Sequence, residues 1–98
     1  MTPPRSDDLV GDVLSLCRAL RDARGMLGLD LDTESELLEH VALAERTATA
    51  NPMDRAAVIA HVQAIRYRLV EIADGPIAAF MADDAARILG DGIGRLFF

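Results

Sequence analysis

The side chains best suited to chemistry are the chain's two histidines, His40 and His61, and the carboxylates near the first of them. Glu36 lies four residues before His40, so a helix would place both on one face, with Glu39 beside them. His61 could complete a metal site from a neighbouring helix. However, neither histidine follows a glutamate by three residues, which excludes the di-iron carboxylate pattern, and zinc-type spacings are also missing. The sequence favours structural histidines at the edges of apolar faces and keeps these four residues as candidate metal ligands.

A nucleophilic site has even less support. Cys17 is the only cysteine and has apolar neighbours in a helical pattern, which predicts a buried, inert thiol. No glycine-rich loop follows a predicted strand, so no cofactor is expected. The sequence therefore favours a non-enzymatic protein over an enzyme.

Arg66 and Arg68 flank Tyr67 and form a candidate anion site, since two guanidinium groups can bind a carboxylate or phosphate bidentately. The simpler use of Arg68 is a local salt bridge with Glu71, three residues later. Tyr67 also extends a row of small residues on the same helix. A flat amphipathic ring in that position favours a protein interface.

Composition limits both fold and partners. Of 98 residues, 51% are hydrophobic but only Tyr67 and three phenylalanines are aromatic, and no period-two run is present, so the predicted fold class is all-α. Sixteen acidic residues against ten arginines give a net charge of −6, which disfavours binding to nucleic acid or to anionic membranes. No signal peptide or membrane span is recognised, so a cytoplasmic location is expected.

Apolar periodicity and capping signals predict one helical domain after a flexible lead at residues 1–5. Thr33 with Glu36 reads as a capping box, Asn51-Pro52 as a helix start, Asp74-Gly75-Pro76 as a boundary and Gly90 as a stop. The predicted helices cover about 7–26, 34–50, 52–74 and 76–89, followed by an apolar, glycine-rich tail at 90–98. Leu29 and Leu31, between the first two helices, are expected to tuck under the bundle end.

The third predicted helix is apolar on two sides. One ridge runs from Val58 to Ile72 at four-three spacing, and Ala56, Ala60 and Ala64 form a second row. A helix of this kind is usually surrounded by others, which predicts a small antiparallel bundle of three long helices and one short C-terminal helix. Because a core this small is marginal alone, a homodimer is expected.

These patterns favour a protein-interaction or regulatory module. Its predicted interaction surface comprises Ala56, Ala60, Ala64, Tyr67, Leu96, Phe97 and Phe98. The terminal phenylalanines are expected to be buried on their own bundle, on a dimer mate or on another protein. Two alternatives stay open, namely a metal- or small-ligand-dependent sensor or enzyme using His40 and His61, and an acidic inhibitor or antitoxin-like partner of a basic protein.

Overall fold

Four helices packed against one another make up the protein, as a computed structural model shows. The structure describes the backbone of residues 8–96 and the side chains of residues 9–90. The helices are α1 (Asp8–Ala23), α2 (Leu31–Ala48), α3 (Arg55–Glu71) and α4 (Pro76–Leu96), and the 3-10 turn Arg24–Met26 follows α1. Within these residues there is no strand, so the all-α prediction is confirmed. The main packing partners of α1 and of α3 are α2 and α4 in each case.

The core forms where the predicted stripes meet. Apolar residues at four-three spacing also run along α1 to just past the 3-10 turn, and all six are buried: Leu9, Val13, Leu16, Leu20, Ala23 and Leu27. In α3 the ridge Val58, Val62, Ile65 and Leu69 is buried too. The last predicted ridge residue, Ile72, is 46% exposed because α3 ends one residue before it. Four-three spacing thus identified the inward face of both helices.

The start of α2 differs from the predicted capping box. Asp30 is the N-cap, and its carboxylate accepts a hydrogen bond of 2.8 Å from the backbone N–H of Thr33. Aspartate is a better cap than threonine, so the helix begins at Leu31, three residues before the predicted start at 34. Leu29 packs against the core as expected, but Leu31 is 82% exposed, contrary to prediction.

The start of α3 also lies three residues from its predicted position. Asp54, not Asn51, is the N-cap, and it accepts a hydrogen bond of 3.1 Å from the N–H of Ala57. The prediction left no room for a connection, because one helix was to end at 50 and the next to begin at 52. Two helices packed side by side need several linking residues. Residues 49–54 supply this connection.

The prediction of a short fourth helix is wrong. Helix α4 starts at Pro76 as expected but continues through Gly90 to Leu96, which makes it the longest of the four helices described. A glycine costs a helix only about 1 kcal/mol, and extending a formed helix is easier than starting one. Phe97 and Phe98 lie outside the described residues, as does the lead at residues 1–5.

The end of α1 and the start of α4 are tied together at one end of the bundle. The N–H of Asp74 donates a hydrogen bond of 2.9 Å to the carbonyl oxygen of Leu27. Gly28 follows with φ +67°, and a side chain there would meet the Cβ of Asp74 at 3.2 Å. Gly75, with φ +97°, allows the chain to turn directly into α4. Glycine is therefore required on both sides of this contact.

Candidate functional site

The outer face of α3 carries an apolar stripe that the fold leaves in solvent. Ala56, Ala60, Gln63, Tyr67 and Val70 follow one another at four-three spacing, and all five are exposed. Tyr67 is 58% exposed and Val70 is 48% exposed. We call these five residues the α3 face. Four of them are apolar or amphipathic, so α3 presents one apolar side to the core and another to water.

Three residues of the predicted interaction surface lie on the α3 face. Ala56, Ala60 and Tyr67 are exposed together on the α3 face, whereas Ala64 is half-buried at its edge. Sequence analysis did not include Gln63 or Val70 in that surface. Their four-three spacing with Tyr67 was the signal that could have identified both.

The candidate anion site is not assembled, because its two arginines have different surroundings. The Arg68 guanidinium lies 3.2 Å from a carboxylate oxygen of Glu36 on α2 and also donates a hydrogen bond of 3.2 Å to the carbonyl of Ala64. The predicted local bridge from Arg68 to Glu71 is therefore wrong. Arg66 is exposed. The Arg68 charge thus joins α3 to α2 instead of forming a pair with Arg66.

His40 and His61 meet across the contact between α2 and α3, with ring centroids 6.4 Å apart and ring planes tilted by 44°. Both are half-buried, as expected for the edges of apolar faces. Of the two carboxylates predicted as further ligands, Glu36 is paired with Arg68 and Glu39 is exposed. Within the described part of the chain, no group of three His, Cys, Asp or Glu side chains is placed to hold a metal ion.

The surroundings of His40 favour the neutral form of its ring. Burial lowers its pKa from the ordinary 6.5, and the positive charges of Arg68 and His61 lower it further. Glu39 and Glu36 act in the opposite direction with smaller effect. The Nδ1 atom is buried without a hydrogen-bond partner. A protonated His40 would thus sit beside a guanidinium and a second imidazole.

We expect this histidine to make folding pH-dependent. A folded-state pKa below the unfolded value of 6.5 means that the unfolded chain binds the proton more readily. The contribution of neutral His40 to the free energy of unfolding is therefore complete above about pH 6.5. It declines as the pH falls from there toward the folded-state pKa. Urea unfolding between about pH 8 and 5 should show lower stability at acidic pH, and His40→Gln should reduce the slope. Identical slopes in the two proteins would contradict this role.

Cys17 is buried, as predicted, and its surroundings keep the thiol protonated. Its pKa is raised from 9.0 to about 12, mainly by burial and also by the charge of Glu45, while Arg21 acts in the opposite direction. The thiol donates a hydrogen bond of 3.6 Å to the carbonyl oxygen of Val41 on α2. A nucleophilic cysteine requires the thiolate, which this site disfavours. The Cys17 side chain therefore contributes to the packing of α1 against α2.

A second apolar surface is a groove of about 540 Å³ between the end of α1 and the start of α4. Its lining is almost wholly apolar: Ala19, Asp22, Ala23, Met26, Pro76, Ile77, Phe80 and Met81. Met26 is 57% exposed and Phe80 is 71% exposed. Sequence analysis missed this groove, because its two walls lie about fifty residues apart in the chain and no single stripe contains them.

No protein-family model matches this chain, and no curated protein or solved structure matches it significantly. None of the helices in the described residues is long and apolar enough to cross a lipid bilayer.

Proposed function

We propose that this chain is a non-enzymatic protein-interaction module that pairs with a second copy through the α3 face. The observation that carries the proposal is the exposure of Tyr67 and Val70 in line with Ala56 and Ala60. Helices that are apolar on all sides are normally surrounded by other helices. Within one chain α3 has α2 and α4 as its main neighbours. A partner on the α3 face would complete its surroundings.

The pattern along the α3 face supports an antiparallel pair. The small residues Ala56 and Ala60 lie in its first half, and the large residues Tyr67 and Val70 lie in its second half. If the two helices cross antiparallel at Gln63, Tyr67 of one copy lies opposite Ala60 of the other. Val70 then lies opposite Ala56, and the two Gln63 amides meet and can hydrogen-bond to each other. Large residues fill the space that small residues leave, as close packing requires.

A parallel arrangement of the two α3 helices would have one favourable feature. Arg66 and Glu71 are five residues apart on opposite flanks of the face, the spacing that joins flanking charges in parallel coiled coils. That arrangement, however, sets Tyr67 against Tyr67 and Ala60 against Ala60, so the rings would hold the alanine ends apart. Exposed ion pairs contribute only about 0 to 1 kcal/mol, less than the packing lost. The antiparallel pair is therefore the arrangement we propose.

Within each chain we propose an antiparallel bundle. The hydrogen bond from Asp74 to Leu27 joins the start of α4 to the end of α1. Toward the other end, Arg87 of α4 lies 3.6 Å from Asp12 of α1. Only four residues separate the end of α3 at Glu71 from the start of α4 at Pro76, so in this arrangement α4 also runs antiparallel to α3. The end of α3 and the start of α4 then lie at one end of the bundle.

The first test is the solution mass of the purified chain, by light scattering over a concentration series. We expect a mass approaching two chains at high concentration and a reversible fall toward one chain on dilution. A folded chain that stays at the mass of one copy up to millimolar concentration would reject the homodimer. Among the side chains that the structure describes, the sensor hypothesis has no third metal ligand. The acidic-partner hypothesis depends on net charge alone.

A further inference from the structure

The α3 face is small for a stable interface. Helix α3 has 17 residues, which gives a length of about 25 Å, and a helix is about 10 Å wide. The face thus covers on the order of 250 Å² per chain, whereas a typical specific interface buries about 800 Å² per partner. A homodimer that rests on this face must therefore bury further surface beside it.

A cleft between the end of α3 and the start of α4 adjoins the α3 face, and we call it the α3–α4 cleft. Its volume is about 340 Å³, and Val70 belongs both to its lining and to the α3 face. Helix α4 contributes Ala79 and Asp83, which are both exposed. Asp74, between the two helices, also lines the cleft and is exposed. A partner that covers the end of the α3 face therefore meets a surface of small side chains with two carboxylates.

One flank of α3 leads from the α3 face toward α4. Arg55, Ile59 and Arg66 recur at spacings of four and seven residues, so they share a flank. Val70, four residues after Arg66, lines the cleft together with α4. His61 belongs to the other flank, where its ring meets α2. The flank that carries Arg55 is therefore the one on the side of α4.

The antiparallel pairing determines which part of the second copy lies beside the cleft. The two copies are related by a two-fold axis perpendicular to both α3 helices, which puts their corresponding flanks on the same side of the pair. The flank with Arg55 in one copy thus lies on the side of the cleft in the other. Because Val70 of one copy lies opposite Ala56 of the other, the preceding residue, Arg55, lies level with the cleft.

Arg55 brings a charge opposite to that of the cleft. Its side chain is half-buried, and one guanidinium nitrogen is buried without a hydrogen-bond partner among the described residues. Leaving a buried donor unpaired costs free energy, and a carboxylate is the strongest partner for a guanidinium. The Asp74 carboxylate already accepts a hydrogen bond of 2.8 Å from the N–H of Gly75. Asp83 is therefore the better partner for Arg55.

We propose that the α3–α4 cleft receives the first turn of α3 from a second copy, with Arg55 of that copy paired to Asp83. This inference rests on the proposed homodimer and deepens it. The two-fold axis repeats the contact, so each chain supplies one cleft and one Arg55. The interface thereby extends from α3 onto α4, and the two charge pairs fix the antiparallel register.

The test reverses the two charges in separate full-length chains, Arg55→Glu and Asp83→Arg. Each homodimer then has like charges at both contacts, so its dissociation constant should rise by about tenfold or more. In an equimolar mixture, the heterodimer has one reversed pair and one native pair, and both are attractive. Sedimentation of the mixture should therefore show a dimer with a dissociation constant close to that of the wild type.

Asp22→Arg is the matched control, because it makes the same change at an exposed aspartate on α1. This variant should dimerise as the wild type does, and it should not rescue Arg55→Glu. Circular dichroism should show unchanged helicity for every variant, since Asp83 is exposed and Arg55 is only half-buried. If Arg55→Glu loses helicity, Arg55→Gln replaces it. Its mixture with Asp83→Arg should still dimerise more tightly than Asp83→Arg alone.

Homodimers that neither charge reversal weakens would overturn the cleft contact, as would a mixture that dimerises no better than its components. Failure of the α3 pairing has a different signature. A wild-type chain that is monomeric at every concentration rejects the pairing and the cleft contact together. A dimer that is broken by Ala60→Arg, on the α3 face, but unchanged by the charge reversals keeps the α3 pair and rejects the cleft contact alone.

Discussion

Ala60→Arg should convert the dimer to a monomer without unfolding the chain. In the proposed antiparallel pair this residue faces Tyr67 of the second copy, so an arginine there adds bulk and an unpaired charge at the centre of the interface. Overpacking costs about 1 to 3 kcal/mol, and burying an unpaired charge costs several more. The dissociation constant should rise by about 100-fold or more, since each 1.4 kcal/mol is a factor of ten. Sedimentation or light scattering measures the shift.

Ser15→Arg is the matched control for this substitution. Ser15 is an exposed helical residue on α1 that belongs neither to the α3 face nor to the lining of the groove. We expect this variant to keep the dissociation constant of the wild type. Equal weakening by both variants would assign the effect to net charge, and an unchanged Ala60→Arg dimer would remove the α3 face from the interface.

Leu16→Ala should have the largest effect on folding. Leu16 is fully buried in α1, within the single cluster that all four helices contribute to. Removing a buried leucine side chain typically costs about 2 to 5 kcal/mol, since apolar contacts are lost and a cavity remains. A small domain has a total stability of roughly 5 to 15 kcal/mol, so urea unfolding should shift to a much lower midpoint.

Leu31→Ala makes the same chemical change at a residue that is 82% exposed, so it should alter stability very little. Both variants must be compared at one protein concentration, because a dimer's apparent stability rises with concentration. A large loss of stability in Leu31→Ala would mean that this side chain is covered in solution. A small loss at Leu16 would contradict the packing of α1 in the core.

The inward faces of α1 and α3 could be predicted, but most helix ends could not, the start of α4 at Pro76 being an exception. Burial follows from the spacing of apolar residues, which the sequence shows directly. Helix starts depend on a choice between neighbouring caps: Asp30 precedes Thr33 by three residues, and Asp54 follows Asn51 by three. Both chosen caps are aspartates, and their choice also fixes the connections between helices. Gly90 was predicted to end the fourth helix because glycine has a low helix propensity. That propensity does not account for the ease with which a helix that has already formed extends through one glycine, as α4 does.

The position of the candidate site's residues could be predicted where one helix carries the signal. The exposed row with Ala56, Ala60 and Tyr67 is visible in the spacing of α3 alone. The groove is not, since Met26 and Phe80 become neighbours only when the end of α1 meets the start of α4. For the same reason, the partner of Arg68 was misassigned to Glu71. Its actual partner, Glu36, lies thirty-two residues away on another helix.

Disulfide cross-linking is the measurement that tests the antiparallel α3 pair most directly. Ala56→Cys and Val70→Cys are made in separate chains. The native Cys17 is buried, with its thiol pKa raised to about 12, and should not compete. The pairing places residue 56 of one copy opposite residue 70 of the other. A mixture of the two variants should therefore form a disulfide-linked heterodimer under mild oxidation, whereas neither variant should cross-link alone. Efficient self-linking of Ala56→Cys, with no heterodimer in the mixture, would contradict the account.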